Sequence, residues 1–209
     1  MKKIALILAL TGASMLHAQL IDRNDIILHA GIGAGIYHYQ LTDLQTNIAN
    51  PRDTSGSVQY LFQAEYGVNR WLSGGLTYNF QHFLTDSSGQ SHGERAIVMD
   101  FGLSANFHIP WNLEKFDFSA SLGYAYSRFR YTVDDLNNWE AVANGTVFFW
   151  GVNPRLYFSK NQHLGMEFWY RHTSHLYKKG EITDNNGFLY NFKLDGPGNS
   201  FGLGLFYKI

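Results

Sequence analysis

His172 and Ser174 stand two residues apart in the stretch LGMEFWYRHTSHLY at 164–177, whose residues alternate between apolar and polar. Counted by twos, Leu164, Met166, Phe168, Tyr170, His172, Ser174 and Leu176 share one face; Gly165, Glu167, Trp169, Arg171, Thr173, His175 and Tyr177 share the other. Period-two alternation describes a strand between two different environments, and here the more apolar environment receives an imidazole and a hydroxyl side by side. Asn199 opens a later segment on the same parity as Phe201 and Leu203. If the two segments are neighbouring antiparallel strands, His172, Ser174 and Asn199 reach one height on one surface. The trio has the chemistry of a serine hydrolase, with Ser174 as nucleophile, His172 as general base and Asn199 orienting the imidazole through its side-chain carbonyl. The plainer reading of the same residues is a histidine and a serine resting at a polar boundary.

Eight segments carry the same alternation, at 25–41, 57–69, 71–84, 94–109, 116–133, 146–159, 164–177 and 199–209. In the first, Ile26, Leu28, Ala30, Ile32, Ala34 and Ile36 oppose His29, Gly31, Gly33 and Gly35; in the sixth, Phe148, Trp150, Val152 and Leu156 oppose Gly151, Asn153 and Arg155. The connections alternate as well. Those at 69–70, 110–115 and 160–162 are short, and those at 42–56, 85–93, 134–145 and 178–198 are longer and polar. The pattern predicts an all-β fold: an eight-stranded antiparallel transmembrane β-barrel of outer-membrane type, with short periplasmic turns and four longer extracellular loops. A soluble barrel or sandwich would turn its polar face to water. This polar face is instead rich in glycine and in groups that pair with one another, and the apolar face carries Tyr and Trp toward strand ends, as an aromatic girdle does. Glu65, Asp100, Arg155, Glu167, Arg171, His175 and Lys208 are expected to pair across a lumen that side chains fill. Ser174 then stands about 26 Å above the start of its strand, at the outer-leaflet boundary.

The start of the chain reads differently. Lys2 and Lys3, the apolar run 4–10 and Leu16, His17 and Ala18 form a secretory signal peptide at 1–18, leaving one barrel domain at 19–209. Without Lys2 and Lys3, 14 basic residues face 17 acidic ones, and no basic tract occurs, which argues against nucleic acid as a partner. The chain has no cysteine, so burial and hydrogen bonding hold it. No HExxH or CxxC pattern is present, and Gly31, Gly33 and Gly35 sit inside a strand rather than before a helix, so neither metal nor cofactor is expected.

Arg171, His172, Thr173 and Ser174, followed by Gly196, Pro197, Gly198, Asn199, Ser200, Phe201, Gly202 and Leu203, resemble the C-terminal third of PagL-type lipid A 3-O-deacylases. The resemblance implies an eight-stranded outer-membrane barrel with a lipid-facing His-x-Ser pair that hydrolyses an ester of lipid A, with Ser174 as nucleophile and His172 as base. Two positions depart from that family. His175 replaces the asparagine that follows the serine, and Asn199 replaces the acidic partner, an exchange similar to the Ser-His-Asn arrangement of outer-membrane phospholipase A. Glu181, Asp184 or Asp195 offers a carboxylate in its place. The partners implied are lipid A, lipopolysaccharide or a phospholipid of the outer membrane. Gly204, Tyr207 and Ile209 resemble the C-terminal signal read by the outer-membrane assembly machinery. The alternative is a non-catalytic small barrel similar to OmpX or OmpW, acting through its extracellular loops or passing small apolar molecules.

Overall fold

Period-two alternation governs every strand of the computed structural model, which describes residues 21–84, 93–109, 115–133, 138–158 and 163–209. The 1–18 segment lies outside the described residues. The strands are β1 (Ile26–Asp43), β2 (Asp53–Asn69), β3 (Leu72–Phe83), β4 (Arg95–Ile109), β5 (Phe116–Val133), β6 (Trp139–Tyr157), β7 (Leu164–Asp184) and β8 (Gly187–Lys208). Each pairs antiparallel with the next, and β8 pairs with β1, closing the barrel. Closure leaves no unpaired edge, which is what lets strands cross a membrane. The apolar parity faces outward, as Ile32, Phe62, Leu103, Tyr124, Phe168, Phe201 and Leu205 all do.

Following register partners around the ring fixes the geometry. The line from Ile26 runs through Tyr66, Gly74, Ala105, Leu122, Trp150, His172 and Asn199 and returns to β1 at Ile36, ten residues further along. Eight strands with this stagger tilt by roughly 40° from the barrel axis.

Side chains fill the lumen in layers. Toward the periplasmic end, Arg155 meets Glu65 at 2.7 Å, Glu167 at 3.3 Å and Asp117 at 3.4 Å, while His29 bridges Glu65 and Glu167 and His108 faces Asp117 and Ser73. Trp169 lies across the glycines above. A Cβ added at Gly33 would meet its ring at 2.5 Å, so only glycine admits the indole there. Higher still, Asp100 accepts from Ser127 at 2.6 Å and Gln81 at 3.0 Å and faces His175 at 3.3 Å. Two of the expected pairings differ. Lys208 reaches Asp25 at 3.5 Å, and Arg171 lies over the Phe149 ring at 4.3 Å with no carboxylate at ion-pair distance among the described residues.

The 178–198 stretch is not a loop. It continues β7 and β8, which a turn at Asn185 and Asn186 joins. The ladder shifts register between Tyr177 and Gly180, and Lys178 and Lys179 are both exposed there, so strict alternation lapses for one residue. Beyond the bulge, Ile182, Phe192 and Leu194 turn inward and pack with Ala141, Ala143 and Tyr177. Above the membrane the outer wall meets water, and the apolar face becomes the inner one.

Candidate functional site

β7 presents Tyr170, His172 and Ser174 on the outer wall, and β8 presents Asn199 there. His172 pairs in register with Asn199 on one side and Trp150 on the other. Its Nδ1 lies 2.9 Å from Asn199 Oδ1, and its ring lies 5.6 Å from that of Trp150, tilted by 35°. The imidazole is held between an amide and an indole rather than free to turn. Tyr170 donates its hydroxyl to the same Asn199 oxygen at 2.8 Å. With Oδ1 accepting from both neighbours, His172 carries its proton on Nδ1 and leaves the Nε2 lone pair available to a base's work.

Ser174 is exposed one outward position beyond His172, opposite Phe148 on β6 and Pro197 on β8. No hydrogen bond joins its hydroxyl to the imidazole among the described residues. Residues two apart on a strand lie about 6.8 Å apart at Cα with side chains on one face, so side-chain rotation brings Oγ and Nε2 together. Unliganded sites often show such pairs loose. The surroundings are apolar: Trp150, Phe148, Leu176, Phe201 and Ile36 are all exposed on the same wall.

All three sequence-predicted residues thus reach one outer patch. The carboxylates offered as alternatives do not reach His172. Glu181 lies near Lys179, Asp184 accepts from the Asn186 backbone, and Asp195 pairs with Lys193 at 3.1 Å. Asn199 takes its place from the middle of β8, not its start. His175 turns into the lumen, where it stacks on Tyr177 at 6.0 Å and faces Asp100. Tyr170 and Trp150 escaped the sequence reading as site residues, although each has outward parity and Tyr170 lies two residues from His172. Their roles depend on cross-strand contacts that parity does not reveal.

The model of the outer membrane protein beta-barrel domain matches residues 5–208. The chain belongs to that family. It is an integral outer-membrane barrel, similar in fold to other such barrels. OprG from Pseudomonas aeruginosa superposes with a TM-score of 0.58 at 11% identity, covering 92% of this chain and 99% of that one. The outer membrane protein AlkL gives 0.55 at 15% identity, covering 90% and 91%, and the outer membrane protease OmpT from Escherichia coli gives 0.52 at 8%, covering 88% and 97%. At these identities the likeness establishes the fold alone. No curated protein matches the chain.

Proposed function

We propose that this outer-membrane barrel is a serine ester hydrolase that removes an ester-linked acyl chain from lipid A. The observation that carries the reading is the 2.9 Å contact between His172 Nδ1 and Asn199 Oδ1 on a lipid-facing wall, one outward position from Ser174. In the first step Ser174 Oγ attacks the ester carbonyl carbon and its proton passes to His172 Nε2. The tetrahedral adduct collapses with cleavage of the ester C–O bond, and the imidazolium returns the proton to the departing alkoxide. Water, deprotonated by the same Nε2, then attacks the acyl-serine carbonyl; the acyl C–Oγ bond breaks, the imidazolium returns the proton to Ser174 Oγ, and the fatty acid is released. Asn199 orients the imidazole and meets its growing charge with an amide oxygen. An acyl chain lying in the outer leaflet reaches the wall without leaving the membrane, and Phe148, Trp150 and Leu176 supply apolar contact for it.

The test is release of a 3-hydroxy fatty acid from lipid A by the purified barrel in mixed micelles. Ser174→Ala and His172→Ala are expected to abolish release while the barrel stays folded. Release that persists undiminished in Ser174→Ala overturns the assignment.

A second reading has its own support. An open cup of about 540 Å³ at the extracellular mouth is lined by Tyr39, Leu41, Phe83, Ala96, Phe129 and Leu194 among others. A non-catalytic barrel that takes up small apolar molecules there gains favour if lipid A and phospholipid both remain intact with the wild-type protein.

A further inference from the structure

Hydrolysis at Ser174 leaves a second group of outward side chains without a task. On the wall formed by β4 to β7, outward positions change from aromatic to cationic within a few residues. β5 presents Tyr124 and Tyr126, then Arg128 and Arg130; β4 begins with Arg95; and the β7 bulge exposes both Lys178 and Lys179. Arg128 stands opposite Asn144, which stands opposite Lys179, so one line of partners joins three strands. Arg95 and Arg130, with Gly93, Ile97 and Thr132, line an open groove of about 400 Å³.

Among the described residues these charges are mostly uncompensated. Glu140 holds Arg130 Nε at 2.7 Å, and Glu181 lies 3.9 Å from Lys179. Arg95, Arg128 and Lys178 have no ion pair among the described residues. The wall formed by β8, β1 and β2 is different: Lys193 is paired with Asp195, and His38 is hydrogen-bonded to Thr54 at 2.8 Å. Among the described residues of the strands above the membrane, the unpaired cations therefore gather on β4, β5 and β7, with Arg52 just before β2 standing apart from them.

Position relative to Ser174 gives this surface a meaning. Ser174, Phe148 and Tyr124 share a register line, and Arg128 lies four residues above Tyr124 on β5. Two strand spacings and four residues place Arg128 about 16 Å from Ser174 along the wall. Because the register lines climb around a barrel of this stagger, the same step raises it only about 4 Å along the membrane normal. The Arg128 guanidinium thus flanks the ester site laterally, at the boundary where lipid phosphates lie, and Arg130 and Arg95 stand above it, about 9 and 12 Å higher than Ser174 by the same geometry. Arginine's planar fork suits a phosphate better than a solvated point charge does.

We propose that Arg95, Arg128 and Arg130 form a subsite for the phosphate of an outer-leaflet glycolipid, and that this spacing selects a phosphorylated glycolipid over a glycerophospholipid as the substrate. A glycerol unit joins ester and phosphate through three carbons, whereas a sugar head group lying along the interface spans the gap once the reach of an arginine side chain is allowed for. The choice of substrate rests on the esterase reading; the binding itself does not.

The experiment therefore reads binding on full-length barrel carrying Ser174→Ala, in neutral-detergent micelles. The probes are phosphorylated lipid A, the same lipid stripped of phosphate, and phosphatidylglycerol of similar chain length. Phosphorylated lipid A is expected to bind about tenfold more tightly than either other lipid, with the advantage shrinking as salt is raised. Adding Arg95→Gln and Arg128→Gln, which leaves the Arg130–Glu140 pair intact, is expected to remove that advantage, and native-like migration of the unheated variant in gels verifies the fold. Equal binding of phosphatidylglycerol, or an advantage that survives in the arginine variant, overturns the subsite. A wild-type barrel that cleaves no ester refutes the esterase reading and leaves this binding result to stand or fall separately.

Discussion

His172 and Asn199 are direct register partners across the β7–β8 ladder, and Nδ1 of one lies 2.9 Å from Oδ1 of the other. In the proposed mechanism, a general base placed in this way gains its tautomer as well as its orientation from its neighbour. Asn199→Leu removes the acceptor while keeping bulk on the lipid-facing wall, and the acyl-release rate is expected to fall about 100-fold, in the range that acid–base catalysis contributes. Asn199→Asp keeps an acceptor at that place and is expected to retain activity. Equal rates for wild type and Asn199→Leu would remove asparagine from the mechanism.

In the proposed mechanism Tyr170 is a positioning residue that works through Asn199. Its hydroxyl donates to the same oxygen at 2.8 Å, and it touches no reacting atom. Loss of one such bond in Tyr170→Phe corresponds to about 1 kcal/mol, or roughly a fivefold fall in kcat, with KM for the lipid unchanged. A change confined to KM would make Tyr170 a lipid contact instead of a positioning residue.

His175 follows the serine but faces the lumen, where it meets Asp100 and stacks on Tyr177. The substitution His175→Asn places an amide directly after the serine, yet its side chain remains inside the barrel. Acyl release is expected to stay unchanged, and stability to fall by about 1–3 kcal/mol as Asp100 loses a buried partner. A large gain in hydrolysis would show that this residue reaches the ester.

Arg155 is enclosed by Glu65, Asp117 and Glu167. Arg155→Leu leaves three carboxylates at the periplasmic end of the lumen without their guanidinium. Unfolding by urea in lipid vesicles is expected to show a loss of about 3–5 kcal/mol, as breaking a buried ion network does. A variant as stable as wild type would mean that water or the two histidines suffice.

Trp169 and Gly33 are mutually dependent because the indole occupies the space a Cβ would need. Gly33→Ala is expected to cost about 1–3 kcal/mol through overpacking. Adding Trp169→Leu relieves the clash, so the double variant should lose less than the two single losses combined. Simple additivity in denaturant titrations would argue that the ring shifts freely.

Much of the barrel was legible because the side-chain period of a strand is a local property. Alternation at Ile26 to Ile36, or from Phe148 to Leu156, reports two environments whatever lies beside the strand. The same rule misread 178–198. The bulge between Tyr177 and Gly180 breaks the count, and the apolar face changes from outside to inside where the wall leaves lipid for water. A stretch with Lys178, Lys179 and Glu181 reads as a polar loop when only the membrane-spanning polarity is applied.

Parity alone determined that His172, Ser174 and Asn199 share the outer surface. Whether they meet is a matter of register. A slip of two residues between β7 and β8 would keep every face intact while setting Asn199 opposite Tyr170 or Ser174 in place of His172. The fixed stagger of the closed ring, ten residues over eight strands, and the packing of Trp169 against the glycines select the observed alignment. Those constraints join residues from distant parts of the chain, so the sequence by itself named the three side chains, and only the closed barrel decided that His172 and Asn199 touch.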